Sequence, residues 1–494
     1  MSSESTKQPF EVIIGLEIHV QLRTESKLFC GCSTKFGAPP NTQTCHVCTG
    51  MPGALPVLNR HALELAIKTG LALNCQIERA TKWDRKNYFY PDLPKGYQIS
   101  QFDRPICFEG VIDVVDNKGV ATGKQVRIER AHLEEDAGKS THDESGQGGV
   151  SKIDLNRTGT PLLEIVTMPD MQSAEQAKDF LTELKLILTY IDVSDCNMQE
   201  GSLRVDANVN LLVDKEQELA TPIVEIKNLN SFRAVQRAIE FEVESQWKLY
   251  QETGQTKEQA PKQTRGWDDQ RQVTTLQREK EDSADYRYFP DPDLVSIHTT
   301  DETIEKLRSE LGQLPADIRN QLNEEYQLAA YDVDVLSRQG RAVVQFFREC
   351  ESKVGNAKLV SNWIQQEVLR YLNENEIEME GFPLSAEHFC ELLQQVADNK
   401  LDQSRGKEVF NLMVEAGCTV EQARDKLGIV EIDNSEVESI CRKLMEDNPI
   451  IVADVQSGNA KAIGSLIGQA RQINSSVNPK LVREMLLKLI SAAD

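Results

Sequence analysis

The hydrophobic period of this chain changes near residue 295, and that change constrains the possible folds more than any other feature. In Glu11–Leu22 apolar residues alternate without error, and Leu203–Leu211 shows the same alternation. A period of two predicts a strand with one buried face. Shorter β-like runs cover Val126–His132, Leu162–Val166 and Ile223–Lys227. The first 295 residues are therefore predicted to contain a sheet.

Helical spacing occurs within the strand-rich part and dominates after it. Ala174–Tyr190 has helical spacing, and such a mixture predicts an α+β domain rather than a regular α/β repeat. Beyond Asp293 only helices are predicted, and Ser385 favours an N-cap for one of them. A chain of 494 residues is too long for one hydrophobic core, so two to four domains are expected.

The net charge of −23 argues, by itself, against a nucleic-acid partner. It results from 55 basic and 78 acidic residues, whereas nucleic-acid binders gain much of their affinity by neutralising phosphates. The segment Val455–Asp494 differs, because its basic residues outnumber its acidic ones. No apolar run approaches the roughly 18 residues of a spanning helix. Met1–Phe10 has neither a signal-peptide core nor a transit-peptide pattern, so a cytoplasmic protein is expected.

Four cysteines near the N-terminus form two close pairs. Cys30 and Cys32 are separated by one residue, and Cys45 and Cys48 by two. Two pairs of thiolates delivered by tight turns match the tetrahedral ligand set of zinc, so a closed, structural Zn²⁺ site is predicted. His46 could replace one thiolate. The second pair could instead have a redox role, or the four cysteines could be unrelated buried residues.

Acidic residues and a histidine lie on the predicted polar strand faces. Glu17 and His19 are two apart on one strand, so their side chains leave the same face roughly 6.6 Å apart. Such a pair suits Mg²⁺ or Mn²⁺, although a solvated strand face has the same pattern. Spacing alone does not bring further acidic residues to the same cavity. These are Glu134, Glu135, Asp136, Glu200, Asp206 and Glu225.

Long strings of residues resemble the family formed by the B subunits of aspartyl/glutamyl-tRNA amidotransferases. In the first 295 residues they are Ile14–Val20, Asp84–Asp103, His132–Ser140, Asp154–Pro161, Glu200–Asn208, Glu225–Ser231 and Asp285–Pro292. Looser matches follow at Gly458–Gly464 and Val477–Val482. The resemblance implies an α+β, cradle-like catalytic domain with a mixed or antiparallel sheet, then an all-α helical domain and a small helical tail that contacts tRNA. We place these domains at residues 1–295, 296–415 and 416–494.

The resemblance also implies a reaction. Mg²⁺ and ATP would serve to phosphorylate the side-chain carboxylate of misacylated Glu-tRNA(Gln) or Asp-tRNA(Asn), and ammonia would then displace phosphate. An amidase (glutaminase) subunit would supply the ammonia, and a small third subunit would complete a heterotrimer.

Residue roles follow from the same resemblance, position by position. The family's catalytic residues correspond to Glu17, His19, Glu134, Glu135, Asp206 and Glu225. Among them, Glu17, His19 and Glu135 would be the magnesium ligands. Lys86 and Lys227 lie in matching motifs and would contact phosphate.

Two other functions compete with this one. A non-catalytic tRNA-binding adaptor would use a zinc module and the basic tail only to hold RNA, and ATP turnover would distinguish it. A metallohydrolase would need a ligand run such as His-Glu-x-x-His, which the sequence lacks.

Overall fold

The computed structural model describes residues 9–142, 151–279, 286–429, 434–457, 459–474 and 477–491. The chain forms two compact units, residues 1–318 and 319–494. Asp285 and Gly458, which belong to two of the family-like strings, lie outside the described residues.

The first unit combines strands with four helices in its described part. The strands are β1 (Glu11–Gln21), β2 (Gln76–Ile77), β3 (Ala80–Thr81), β4 (Asp84–Asn87), β5 (Tyr97–Ser100), β6 (Cys107–Val115), β7 (Ala121–Glu135), β8 (Lys139–His142), β9 (Ser151–Asp154), β10 (Pro161–Thr167), β11 (Leu203–Asp214), β12 (Leu219–Ala220), β13 (Val224–Leu229), β14 (Gln263–Asp268), β15 (Val273–Glu279), β16 (Phe289–Pro290) and β17 (Ile297–His298). The helices are α1 (Arg60–Ala72), α2 (Ala174–Tyr190), α3 (Phe232–Thr253) and α4 (Asp301–Glu310).

One large sheet organises this unit. Among the described residues it has ten strands in the order β15–β14–β13–β11–β1–β10–β7–β6–β2, with β12 paired to β11. These pairings are antiparallel except for the parallel pair β13–β14. Three smaller groups are β16–β4–β5, β17–β3 and β8–β9. The strand β1 is therefore central, between β11 and β10.

The two faces of the sheet differ because residues alternate along each strand. On β1 the side chains of Ile14, Leu16 and Ile18 are buried in one hydrophobic cluster with residues of α1, α2 and α3. Glu17 and His19 leave the opposite face and are only partly buried. Since the apolar face is covered by helices, the polar face can present functional groups on a rigid support.

The remaining described residues form helices. They are α5 (Pro315–Tyr326), α6 (Ala330–Arg338), α7 (Arg341–Val354), α8 (Ala357–Trp363), α9 (Leu369–Asn375), α10 (Ala386–Ala397), α11 (Gln403–Ala416), α12 (Val420–Lys426), α13 (Asn434–Asp447), α14 (Pro449–Gln456), α15 (Ile463–Ile473) and α16 (Pro479–Ser491). A π-helical turn, Ile364–Val368, lies between α8 and α9. A separate hydrophobic cluster, which includes Val437, Leu466 and Leu486, holds α13, α15 and α16 together. No helix in the described ranges has both the length and the apolar character needed to span a membrane.

The predicted α+β class is confirmed. The limits of α2 agree with the prediction, and the Ser173 hydroxyl caps this helix by accepting a hydrogen bond from the Gln176 N–H. Ser385 caps α10 as predicted, by accepting from the His388 N–H. The strand β7 is longer than the predicted Val126–His132 because its first five residues are exposed and show no alternation. The predicted domain limits at 295/296 and 415/416 stay predictions.

Candidate active site

Cross-strand pairing brings polar side chains of four neighbouring strands together. In the β1–β11 register Glu17 lies opposite Asp206. In the β1–β10 register His19 lies opposite Glu164, and in the β10–β7 register Glu164 lies opposite His132. Because directly opposite residues of antiparallel strands have Cβ atoms about 4.5–5.5 Å apart, these side chains form one continuous polar layer.

The first cluster in this layer is acidic and contains Glu17, Asp206 and Glu225. One carboxylate oxygen of each lies within 4.8 Å of the others. Asn208 Nδ2 donates a hydrogen bond to Glu17 Oε1 at 3.0 Å, and Thr264 Oγ1 donates one to Glu225 Oε2 at 2.9 Å. These bonds orient two of the three carboxylates from neighbouring strands. Both leave oxygen atoms that can face a common ligand.

Lys227 is the cation beside this acidic cluster. Its ammonium donates a hydrogen bond to Asp206 and lies 3.6 Å from Glu225 Oε1. Burial lowers the pKa of Lys227, but the charges of Asp206 and Glu225 outweigh burial and the pKa is raised. One ammonium facing three carboxylates leaves an excess of negative charge, and carboxylate oxygens are the ligands that Mg²⁺ prefers. The donor set therefore fits Mg²⁺.

The second cluster contains His19, Glu134 and Glu164. His19 Nε2 lies 3.4 Å from Glu164 Oε2 and 3.8 Å from Glu134 Oε1. His132 Nε2 approaches the same two carboxylates, at 3.6 Å and 3.7 Å. A nitrogen and two carboxylates within 4.8 Å of one another also fit a divalent ion such as Mn²⁺ or Mg²⁺.

The charges in this second cluster stabilise one another. Burial lowers the pKa of His19, but its hydrogen bond to Glu164 and the charges of Glu164 and Glu134 raise that pKa to about 9. Burial likewise raises the pKa of Glu164, but the charges of His132 and His19 hold it well below its ordinary value. A metal ion bound here would require the neutral form of the His19 imidazole.

Both clusters line one cavity of about 660 Å³. Its other lining residues are Lys86, Ser100, Gln101, Phe102, Arg130, His132, Lys227, Pro261, Lys262, Tyr286 and Tyr288. The ammonium of Lys86 lies 5.0 Å from the ring centroid of Tyr286. Burial lowers the pKa of Lys86, but Glu134 and other nearby charges outweigh burial and the pKa is raised, so this cation persists at neutral pH.

The structure brings most of the predicted residues to this cavity, and these are Glu17, His19, Glu134, Asp206, Glu225, Lys86 and Lys227. It does not place Glu135 there. Because residues alternate along β7, Glu134 and Glu135 leave opposite faces. The Glu135 carboxylate forms an ion pair with Lys95 and accepts the Ile99 N–H at 3.2 Å. The grouping of Glu135 with His19 is thereby corrected, and Glu134 takes its place.

The structure also separates Glu17 from His19, which were expected to share one ion. Glu17 meets carboxylates on the β11 side of β1, whereas His19 meets carboxylates on the β10 side. Two clusters therefore replace the one that was expected.

Sequence reasoning missed Glu164 and His132. Glu164 is the one ionisable residue of β10, whose other residues are apolar apart from Thr167. A lone carboxylate in such a strand was the available signal. His132 and Glu134 repeat on β7 the two-residue spacing of Glu17 and His19, and that repetition was a second signal.

A separate centre consists of Cys30, Cys32, Cys45 and Cys48. Their four sulfur atoms lie within 4.8 Å of one another. Tetrahedral zinc with Zn–S bonds near 2.3 Å would place its sulfurs about 3.8 Å apart, so the cysteines fit a structural Zn²⁺ ion. The side chain of His46 is exposed and does not belong to this cluster.

Cys48 is the thiolate that the protein stabilises most. A hydrogen bond from the Cys30 thiol, opposed by burial and aided by the Cys45 N–H and the charge of Lys27, lowers the pKa of Cys48 to about 4. Lys27 is fully buried, and its Nζ lies 3.6 Å from Cys48 Sγ and donates to the Gln43 carbonyl at 2.7 Å. A buried cation beside the sulfurs suits a metal–thiolate centre, whose net charge is negative.

Comparisons with known proteins agree along nearly the whole chain. The family described as GatB/GatE catalytic domain matches residues 12–305, which include every residue of the 660 Å³ cavity. The family described as GatB domain matches residues 345–490. A protein of Rhodopirellula baltica is 54% identical over 98% of both chains. Proteins of Caldanaerobacter subterraneus and Thermotoga petrophila are 45% and 43% identical, over 98% and 97% of this chain and 99% of their own. All three relatives are named as B subunits of an aspartyl/glutamyl-tRNA(Asn/Gln) amidotransferase.

Proposed function

This chain belongs to the family of aspartyl/glutamyl-tRNA(Asn/Gln) amidotransferase B subunits, and from that premise we propose that its cavity carries out two successive reactions. In the first, ATP phosphorylates the side-chain carboxylate of Glu-tRNA(Gln) or Asp-tRNA(Asn). In the second, ammonia attacks the resulting acyl phosphate, phosphate leaves, and the amide forms. An amidase subunit supplies the ammonia, and a small third subunit completes the heterotrimer.

The observation that carries this proposal is the sharing of one cavity by two ligand clusters. Glu17, Asp206 and Glu225 would hold one Mg²⁺ ion, and His19 with Glu134 and Glu164 would hold a second divalent ion. When bound, such ions bridge the phosphates of ATP and neutralise the charge that develops during phosphoryl transfer. Phosphoryl transfer needs positioning and charge neutralisation more than covalent chemistry from the protein, and these residues offer both.

Lys86 and Lys227 would position the phosphates. Both ammonium groups line the cavity, and neighbouring carboxylates raise the pKa of each, so both stay charged where a phosphate would lie. A carboxylate is a poor acylating group, whereas an acyl phosphate has a leaving group that ammonia can displace. Water would hydrolyse the same intermediate. The aromatic walls formed by Tyr286 and Tyr288 would help to exclude water from it.

The helical tail would bind tRNA. The five basic residues of the last segment, Lys461, Arg471, Lys480, Arg483 and Lys488, are all exposed. Exposed cations can contact the phosphate backbone without reading bases, which suits recognition of a tRNA by its shape. This local excess of positive charge answers the objection that the whole chain is acidic. The four cysteines would hold Zn²⁺ as structural support, outside the chemistry.

Replacing Glu17 by glutamine tests the kinase assignment. In the reconstituted complex, Glu17→Gln should abolish transfer of the γ-phosphate of ATP to misacylated tRNA, while the amidase subunit continues to hydrolyse glutamine. Glu11→Gln is the matched control, because Glu11 lies on the same strand and is exposed outside the cavity. A Glu17→Gln complex that still forms amidated tRNA at the wild-type rate contradicts the proposal. ATP consumption by the wild type also separates it from a non-catalytic tRNA-binding adaptor.

A further inference from the structure

Two stacked aromatic rings lie at the wall of the charged cavity. The rings of Phe102 and Tyr288 are nearly parallel, at 16°, with centroids 4.2 Å apart. Both residues line the cavity, and the Phe102 side chain remains 53% exposed although Tyr288 covers one of its faces. An exposed phenylalanine next to a polar cavity has no partner there for its remaining apolar surface, so a ligand that covers it would gain free energy.

The position of Phe102 is fixed by its backbone. Its N–H donates a hydrogen bond to Asp84 Oδ2 at 3.1 Å, and the Asp84 side chain is buried and paired with Lys82. Phe102 follows the end of β5 by two residues, and β5 pairs with β4. The ring is therefore presented from a paired strand end, and little conformational entropy would be lost when a ligand stacks on it.

Tyr288 is held in turn by a series of edge-to-face contacts. Its ring meets Tyr286 at 6.3 Å and 71°, and Tyr286 meets Tyr88 at 6.1 Å and 77°. The Lys86 ammonium lies over the Tyr286 ring. One aromatic wall thus runs from the exposed ring of Phe102 to a cation that is near the metal-ligand clusters.

The geometry points to an adenine platform at Phe102, in which the base of a substrate stacks on this ring and Tyr288 supports the ring from behind. This inference rests on the proposed function, because it takes its ligand from that reaction. Of the groups that the reaction brings to the cavity, the aminoacyl side chain and ammonia carry no ring. ATP carries adenine, and so does the 3′-terminal adenosine to which every tRNA attaches its amino acid. Every base has a π face, so stacking on Phe102 suits either source.

Fluorescence of 2-aminopurine, which stacking quenches, tests the platform without turnover. Two probes are added separately to the assembled complex: 2-aminopurine riboside triphosphate, and a tRNA whose 3′-terminal base is 2-aminopurine. The wild type should quench at least one probe. Phe102→Leu should abolish that quenching and raise the Kd of the same probe about 5- to 100-fold, as expected for the loss of one base–aromatic stack. Phe102→Trp should retain quenching.

Controls separate a stacking role from a structural one. Phe36→Leu changes another exposed phenylalanine of the same unit, 70% exposed and outside this cavity, and should leave both probes unaffected. If Phe102→Leu does not fold, Tyr288→Leu removes the supporting ring instead and should weaken quenching. Loss with the triphosphate assigns the platform to ATP, and loss with the tRNA assigns it to the terminal adenosine.

Absence of quenching in the wild type, or equal quenching by wild type and Phe102→Leu with both probes, overturns the inference. Because quenching needs only binding, a chain that lacks kinase activity can still show the platform. A chain that phosphorylates its substrate can also lack it. The two proposals therefore fail independently.

Discussion

Exchanging the adjacent residues Glu134 and Glu135 for glutamine, one at a time, tests how β7 distributes its carboxylates. Glu134 lies 3.8 Å from His19 and 3.7 Å from His132 within the cavity. Residues that only hydrogen-bond to a metal ligand already cost 10–100-fold in metal affinity when changed. Loss of a ligand should cost at least as much. We therefore expect Glu134→Gln to raise the metal concentration needed for half-maximal phosphorylation by about 10–100-fold or more.

Glu135→Gln should act on stability instead. The ion pair between Glu135 and Lys95 is buried, with side chains 4% and 7% exposed. Removing the carboxylate charge leaves the ammonium buried without its partner, which costs about 3–5 kcal/mol. The free energy of unfolding should fall by that amount. The metal dependence of the protein that remains folded should stay that of the wild type, because Glu135 belongs to neither cluster of the cavity.

Two measurements separate these outcomes. Phosphorylation of misacylated tRNA is followed over a Mg²⁺ titration in the reconstituted complex, and urea unfolding of the isolated full chain is followed by tryptophan fluorescence, for which Trp83 is a buried reporter. The reasoning fails if Glu135→Gln raises the metal requirement while Glu134→Gln leaves it unchanged. It also fails if both variants behave alike in both assays.

Three further predictions concern other parts of the chain. Cys48→Ser should release the roughly one zinc ion per chain that metal analysis is expected to find, and lower the thermal midpoint; full zinc retention would contradict the cysteine centre. Lys480→Gln with Arg483→Gln should raise the KM for aminoacyl-tRNA and reduce its salt dependence by about 0.7–0.9 per lost phosphate contact, with kcat unchanged; identical salt slopes would exclude the tail from tRNA binding. The folded pKa of His19, about 9, exceeds the ordinary value of 6.5, so its charge stabilises the metal-free fold below pH 6.5 and this contribution is lost as the pH rises through 9. In EDTA, His19→Gln should therefore be less stable than the wild type at about pH 6 and equally stable at about pH 10; a pH-independent difference in urea unfolding would refute this.

Elements with a strong apolar period could be predicted from the sequence. Strand β1 ends within one residue of its predicted limit, and α2 coincides with its own. Both have one fully buried face, so the pattern records the packing. The end of β7 was missed for the opposite reason. There Leu133, Glu134 and Glu135 are all buried, because the strand passes between the cavity and the Lys95 ion pair.

The aromatic wall could not be predicted from local patterns. Phe102 and Tyr288 are far apart in sequence, and neither lies on an alternating strand. Their stacking depends on the pairing of β16 with β4 and of β4 with β5, which brings the segment after residue 285 beside the end of β5. Such a contact depends on tertiary structure alone.

The expectation of one metal site, rather than two, has a geometric cause. Residues two apart on a strand are separated by roughly 6.6 Å, whereas residues opposite each other on neighbouring antiparallel strands have Cβ atoms about 4.5–5.5 Å apart. Ligands of one Mg²⁺ ion, each about 2.1 Å from it, can be at most about 4.2 Å apart. Glu17 and His19 are therefore each closer to a carboxylate on a flanking strand than to one another. A polar pair such as this one, on a central antiparallel strand, indicates two adjacent ligand clusters, one toward each neighbouring strand.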